Sequence, residues 1–458
     1  MNSRSGNTQL GYGNFKQLQL SPLVTGFLIF MSGGMCLAQS VGWIDGFVKI
    51  TDRHFYYSWF IAVIIGALLT LPLRNLIPRR FLMGASSLLI LVGGIIFVSV
   101  PFNMDGLIAG RYLNGIGIGL VTVPYLMYAS EISLDSNRGK ATGLEQLAIA
   151  LGVTIQMVST NQWKSTGGNF TANSLHGIFD IIFAVLALGS LFYFIESPVD
   201  FLRFGDDDSA LKSLGQLQTP PTINMETHTR LAELRDYVRE EEDLPIGVCF
   251  IRSILPLLKM IFYRSAVLAL TYTTMLTVVA GIASLVNGSP WSPCLAACLR
   301  VLGSSLTLIV IDKFGRKIPS LLWILILGGL MIPIAVLMGD LGNLMSIYYM
   351  ETVVSLWASM YFFVGLFAPN TSTYMSEAFP LRTKCYCMTI CVVMEQIIQI
   401  VIINTVGYYG RDDGALLAVS IVVLAAGVGL IPMIPETKKT SLKEAQKRIA
   451  SVSNCNWY

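Results

Sequence analysis

Three charged phrases recur in this 458-residue chain, and their chemistry is reversible ion pairing. Tyr128-Ala129-Ser130-Glu131 is followed by Arg138 and Lys140, and Tyr374-Met375-Ser376-Glu377 by Arg382 and Lys384, the tyrosines 246 residues apart (374 − 128). Pro78-Arg79-Arg80 has its counterpart in Gly315-Arg316-Lys317, 237 residues on (316 − 79). Ile195-Glu196-Ser197 is matched by Pro435-Glu436-Thr437 at an offset of 240 (436 − 196). Three landmarks in one order at nearly constant offset mark an internal duplication. A carboxylate facing guanidinium groups is worth little when exposed, but it biases an equilibrium when the pair exists in only one of two conformations. No Walker loop, nucleophile–base set or metal-ligand cluster accompanies these charges, so an enzyme is not expected and no cofactor is called for.

A second set of polar groups lies in otherwise apolar sequence. Gln146, Gln156, Thr277, Asn370, Ser372 and Glu395 are the candidates for holding a small polar solute. Arg300 and Glu395 both fall near mid-span; an intramembrane charge is functional by default and needs a partner. An ion pair between the two is the first expectation, and a ligand or proton site is the alternative. Asp180 and Glu351 fall near the outer ends of their spans, within reach of interfacial water. His54 and His176 read as outer loop residues. The eight cysteines include no C-x-x-C pair and read as small buried hydrophobes.

These residues need a lipid-embedded scaffold. The chain is 53% hydrophobic and 13% charged, with a mean hydropathy of +0.63, whereas soluble chains carry roughly a quarter charged residues. Apolar runs long enough to cross about 30 Å of hydrocarbon as helix fall near 22–43, 57–77, 82–100, 108–130, 140–162, 176–195, 265–287, 291–311, 319–338, 346–376, 385–408 and 415–433. The fold class is therefore all-α membrane: twelve transmembrane helices in two pseudo-symmetric six-helix bundles. Expected units are a tail (1–20), a first bundle (21–195), a central loop (196–254), a second bundle (255–434) and a second tail (435–458). Net charge is only +3, too small and scattered for a nucleic-acid partner.

Lysine and arginine set the orientation. Arg74, Arg79, Arg80, Arg138, Lys140, Lys313, Arg316, Lys317, Arg382, Lys384 and the lysines after Pro435 fall on one side. Both tails and the central loop are thus expected in the cytosol of a multi-pass protein of the plasma membrane, working as a monomer. Asn169-Phe170-Thr171 becomes an extracellular glycosylation sequon, whereas Asn370-Thr371-Ser372 lies inside span ten and is expected unmodified.

At these residues the chain resembles the sugar porter family of the major facilitator superfamily over nearly its whole length. The motifs are Gly110-Arg111-Tyr112-Leu113-Asn114-Gly115-Ile116-Gly117-Ile118-Gly119, Glu131 with Arg138-Gly139, Gln146-Leu147, Glu196-Ser197-Pro198, Asp312-Lys313-Phe314-Gly315-Arg316-Lys317, Glu377-Ala378-Phe379-Pro380 and Pro435-Glu436-Thr437-Lys438. The general look is of the insect branch that includes facilitated trehalose transporters. The resemblance implies that Glu131, Arg138, Arg79 and Arg80 latch the cytosolic ends of the first half. Asp312, Arg316, Lys317, Glu377 and Arg382 would latch the second, with Glu196 and Glu436 capping the two latches. It implies alternating access, the latches closed when the site faces outward.

The departures lie in the binding site. The span-seven pattern Gln-Gln-x-Ser-Gly-x-Asn reads Thr277-Val278-Val279-Ala280-Gly281-Ile282-Ala283 here, Ser372 stands where the family places tryptophan, and Glu395 where asparagine is common. Asn75 and Pro78 replace the usual acid and glycine of the first cytosolic loop. Span one has no acid between Ser21 and Trp43, which favours facilitated diffusion over symport unless Glu395 has taken that role. The expected function is transport of a sugar or similar small polar solute. The alternatives are a porter for a non-sugar solute or a transport-inactive, sensor-type relative. Reporter tags at residue 168 should be labelled from outside, and tags at 215 and 450 only after permeabilisation; external labelling at 215 would overturn the orientation.

Overall fold

Lipid offers no hydrogen-bond partners, so apolar segments satisfy their backbone internally as helices. The computed structural model describes residues 23–44, 53–162, 170–218, 221–405 and 414–452. The first half is formed by α1 (Val24–Ser40), α2 (Arg53–Leu76), α3 (Arg79–Ser99), α4 (Met104–Ile132), α5 (Arg138–Gln162) and α6 (Ala172–Ser190). Three helices outside the spans follow: α7 (Pro198–Arg203), α8 (Asp207–Gln216) and α9 (Met225–Glu242). They share a small core of Val199, Leu202, Leu214, Leu231 and Val238 that also takes in Leu381.

Span seven is α10 (Ile246–Met260), a π-helical turn (Ile261–Ala266), α11 (Val267–Thr271) and α12 (Thr274–Val286). The remaining spans are α13 (Ser292–Val310), α14 (Lys317–Gly339), α16 (Ile347–Glu377), α17 (Leu381–Thr405) and α18 (Ala415–Leu430), with a short α15 (Leu341–Leu344) before α16 and a polar α19 (Leu442–Ala450) after α18. Ten helices are long and apolar enough to cross a membrane, and α1 and α18 are shorter apolar helices, among the described residues. The all-helical membrane fold read from the sequence is the fold observed.

Span seven departs from its sequence reading. The helix begins at Ile246, inside the stretch assigned to the central loop, and its apolar run continues to Val286. Arg252, Ser253 and Lys259 lower the hydropathy there. Yet Cys249, Ser253, Pro256 and Met260 follow helical spacing and are buried, and the Ser253 hydroxyl meets that of Thr383 at 2.8 Å. The helix breaks at Tyr272. Gln399 of α17 donates to the carbonyls of Ala269 (3.0 Å) and Tyr272 (2.8 Å), so the break leaves those acceptors paired.

Backbones cross closely where glycine removes the side chain. A Cβ at Gly152 of α5 would overlap the Met31 carbonyl of α1, and one at Gly365 of α16 the Arg300 carbonyl of α13. Both neighbours are backbone and cannot swing away. Gly152→Ala should therefore cost about 1–3 kcal/mol, in the range of overpacked cores, read as a lower unfolding temperature of the purified protein.

Candidate functional site: central cavity and cytosolic gate

The repeated charges gather at one end of the helix bundle. In the first half Arg79 begins α3 and Glu131 ends α4, and Nη2 meets the carboxylate at 2.8 Å. Glu131 also accepts the Ser197 hydroxyl at 2.7 Å, and Arg79 pairs with Asp200 at 2.7 Å. Glu196 accepts the Arg80 backbone N–H at 3.0 Å, capping α3 where unpaired amides and the helix dipole favour an anion. The Arg80 side chain is exposed, so Arg80 joins the latch through its amide. Burial raises the Glu196 carboxyl above its usual range, opposed by the Arg80 amide and by Arg79.

The second half repeats the scheme. Glu377 ends α16 and receives Arg316 Nη1 at 2.7 Å on both oxygens, and Arg316 reaches Asp312 at 3.0 Å. Glu436 caps α14, accepting the amides of Arg316 (2.8 Å) and Lys317 (3.1 Å).

Arg138 departs from expectation. It pairs across the halves with Glu377 at 3.2 Å, not with Glu131, and also with Asp135 beside it. Asp312 likewise crosses over, accepting the amides of Gly139 (3.2 Å) and Lys140 (3.1 Å) at the start of α5. Lys384 of α17 donates to Ser130 of α4 at 2.9 Å. The two sets of ion pairs are thus joined to each other across the halves, closing this end of the bundle.

Symmetry fails at the start of α17. The position matching Asp312 in the first half is Asn75 (312 − 75 = 237), and the Leu381 amide is capped at 3.0 Å by Glu241 of α9. Arg382 donates to the Leu244 carbonyl in the same region, so it anchors the central segment instead of Glu377. Burial raises the Glu241 carboxyl, with the Leu381 amide and Arg252 opposing.

Between the halves lies a central cavity with about 710 Å³ of space not filled by atoms, part of it open to solvent. Glu145 and Gln146 of α5, Arg264 and Tyr272 of span seven, Arg300 of α13 and Glu395, Gln396 and Gln399 of α17 line it, with Phe30, Trp59 and Phe60 among the apolar walls. Arg264 Nη2 meets Glu145 Oε1 at 2.9 Å, and its Nη1 donates to the Ser372 hydroxyl at 2.8 Å. That hydroxyl in turn donates to Glu145. Glu395 sits 3.6 Å from Arg264 Nε and remains 22% exposed. Towards the outer side Trp43 stacks on Trp357 with ring centres 6.4 Å apart.

Arg300 does not pair with Glu395 as first expected; Arg264 takes that place. Arg300 instead lies over the Tyr272 ring, 4.5 Å from its centre, and its Nε and Nη1 have no hydrogen-bond partner among the described residues. Of the other candidates, Gln146 and Glu395 line the cavity, and Ser372 holds the Glu145–Arg264 bridge. Thr277 and Asn370 bond back to the Thr273 (3.3 Å) and Leu366 (3.3 Å) carbonyls of their own helices. Gln156 lies behind the cavity, donating to the Trp43 carbonyl at 3.1 Å. Asn169 lies outside the described residues. His176 and Asp180 are neither loop nor water-facing: both sit inside α6 and are buried.

Glu145 and Arg264 escaped the sequence reading. Arg264 stood one residue before the assumed start of span seven, and Glu145 was overshadowed by Gln146. The rule that an intramembrane charge needs a partner would have flagged both.

A family profile described as "Sugar (and other) transporter" matches residues 53–448. The chain belongs to this family. It is a multi-pass membrane transporter of a sugar or similar small polar solute, and a transporter rather than an enzyme. Sugar transport protein 7 of Arabidopsis thaliana is 24% identical over 76% of this chain and 69% of that protein. A probable metabolite transport protein, CsbC, of Bacillus subtilis is 23% identical over 90% of this chain and 92% of its own. The probable glucose transporter rco-3 of Neurospora crassa matches at 28% identity over 47% of this chain, which spans only 40% of that protein. Among solved structures, the major facilitator proton:xylose symporter XylE bound to 6-bromo-6-deoxy-D-glucose superposes with a TM-score of 0.72 at 17% identity, covering 93% of this chain and 99% of XylE. It shares the fold.

Glu377→Gln should take from Arg316 and Arg138 the buried carboxylate they share, leaving Asp312 and Asp135 as their remaining acid partners, a loss of about 3 kcal/mol, the low end for a broken buried pair. The variant should reach the membrane but exchange solute at least tenfold more slowly, the cytosolic side resting open. Wild-type exchange in both Glu377→Gln and Arg316→Ala would make these charges ordinary flanking groups.

Proposed function

We propose that the protein works as a facilitated, alternating-access porter whose solute sits in the central cavity, held by Gln146, Arg300 and Glu395. The supporting observation is the cavity itself. It lies between two halves whose cytosolic ends are zipped by ion pairs, and it carries buried donors that the protein leaves unused. The Glu145–Arg264 bridge joins α5 of the first half to span seven of the second and has to part when the cavity opens inward. Loss of the span-seven amides is offset by the charged groups of α13 and α17, which also donate to and accept from hydroxyls.

Facilitated diffusion is preferred because no acid stands in span one. The setting is the plasma membrane, with both termini cytosolic, Asn169 glycosylated outside, and the monomer as the working unit. The motif resemblance to insect facilitated trehalose transporters puts a disaccharide in the first trial panel. The free Nε and Nη1 of Arg300 favour solutes rich in acceptors, so sugar acids belong beside neutral hexoses and polyols.

Uptake of labelled sugars, polyols and sugar acids into vesicles carrying the purified protein should find weak, saturable transport of at least one. Gln146→Ala and Arg300→Lys should lower it about tenfold, each removing a solute hydrogen bond whose loss also leaves a partner unpaired. Thr277→Ala should change little, its hydroxyl being spent on its own helix. High-affinity uptake abolished by Thr277→Ala but not by Gln146→Ala would place the solute elsewhere.

A further inference from the structure

Cys36 of α1 and His176 and Asp180 of α6 converge inside the first half, away from the cavity lining. All three are buried, and one ligand atom from each lies within 4.8 Å of the others. The His176 tautomer follows from its neighbour. Gln156 Nε2 donates to the Trp43 carbonyl at 3.1 Å, so the amide turns its oxygen to His176 Nδ1, 2.7 Å away. Nδ1 therefore carries a proton and donates it, and the remaining lone pair of a neutral ring is on Nε2.

That Nε2 faces the Cys36 Sγ at 3.5 Å and the Asp180 Oδ2 at 3.3 Å. Oδ2 accepts no hydrogen bond among the described residues, although Asp180 is fully buried. Its other oxygen, Oδ1, accepts the Ser32 hydroxyl at 2.7 Å. Nε2 and Oδ2 thus lie close without a hydrogen bond between them, and the Cys36 sulfur adjoins the same nitrogen.

We infer that Cys36, His176 and Asp180 form a transition-metal site, best suited to zinc. Bond lengths of about 2.0 Å to nitrogen and oxygen and about 2.3 Å to sulfur, at tetrahedral angles, separate N from O by about 3.3 Å and N from S by about 3.5 Å. The observed spacings are those two edges. Binding releases the thiol proton, and the thiolate and carboxylate together balance a divalent ion. Gln156 on Nδ1 and Ser32 on Oδ1 orient the ligands as the outer hydrogen bonds of metal sites do. The fourth position is left for water or another small ligand. The chain separation of Cys36 from His176, 140 residues, is why no spacing motif announced the site. Bound metal would pin α1 to α6 behind the Trp43–Trp357 stack, because the same Gln156 holds the Trp43 carbonyl.

The test uses the full chain, purified, stripped with chelator and titrated with cobalt(II) and then zinc. One equivalent of metal should bind, with a thiolate-to-cobalt charge-transfer band in the near ultraviolet, and zinc should displace cobalt and raise the unfolding temperature. Cys36→Ser should remove the band, Asp180→Asn should abolish binding, and Gln156→Ala should weaken it about 10–100-fold. The inference is overturned if wild type shows no thiolate band, or if the Cys36→Ser/Asp180→Asn double variant binds zinc as wild type does. It is equally overturned if the unfolding temperature follows pH through these residues but ignores metal, which would make them a proton-holding ion pair.

Discussion

One carboxylate, Glu377, is shared by guanidinium groups from both halves. Arg316 grips it from its own half and Arg138 from the other, and the carboxylate is fully buried. Removing two cations and an anion from water is expensive, and only their mutual contact, with the added bonds of Asp312 and Thr437, offsets that cost. The helix ends α5, α14 and α16 are therefore positioned by a single electrostatic knot. When the halves part on this side, water returns to every member, so the closed and open states differ by a swap of solvation rather than by the loss of it.

The cavity applies the same constraint where water is scarce. The span-seven positions that carry amides in the resembled pattern are Thr277, Val278 and Ala283 here, and charges from three other helices line the cavity. Arg264 satisfies Glu145 and approaches Glu395, while Ser372 ties the bridge together. Arg300 is stabilised by the face of Tyr272, a contact that keeps a guanidinium charged without using its donors. The break at Tyr272 serves both ends, opening the helix beside the cavity and presenting carbonyls that fix Gln399.

Much of the fold was legible because lipid makes helices obligatory: twelve apolar runs and a repeated set of charges led directly to two six-helix halves. The within-half partners Arg79–Glu131 and Arg316–Glu377 were readable from motif and offset. The crossing partners of Arg138 and Asp312 were not, since which half a side chain reaches depends on how the bundles meet. The start of span seven was hidden because Arg252, Ser253 and Lys259 lower the hydropathy of α10, although Ser253 and Lys259 are buried within the protein. Gln156, Thr277 and Asn370 illustrate a further limit. Polarity in a span marks a side chain that needs a partner; for Thr277 and Asn370 that partner is backbone, and for Gln156 it is the Trp43 carbonyl and His176. Glu241 could not have been foreseen as the cap of α17, since nothing in its local sequence distinguishes it from its acidic neighbours.

The cavity charges carry one more consequence. Arg264 and Arg300 against Glu145 and Glu395 sum to zero when both carboxylates are ionised. Each unbalanced elementary charge crossing the membrane field is worth about 2.3 kcal/mol per 100 mV. While both stay ionised there is none to carry, and the voltage does no net work on these four groups as the vacant carrier reorients.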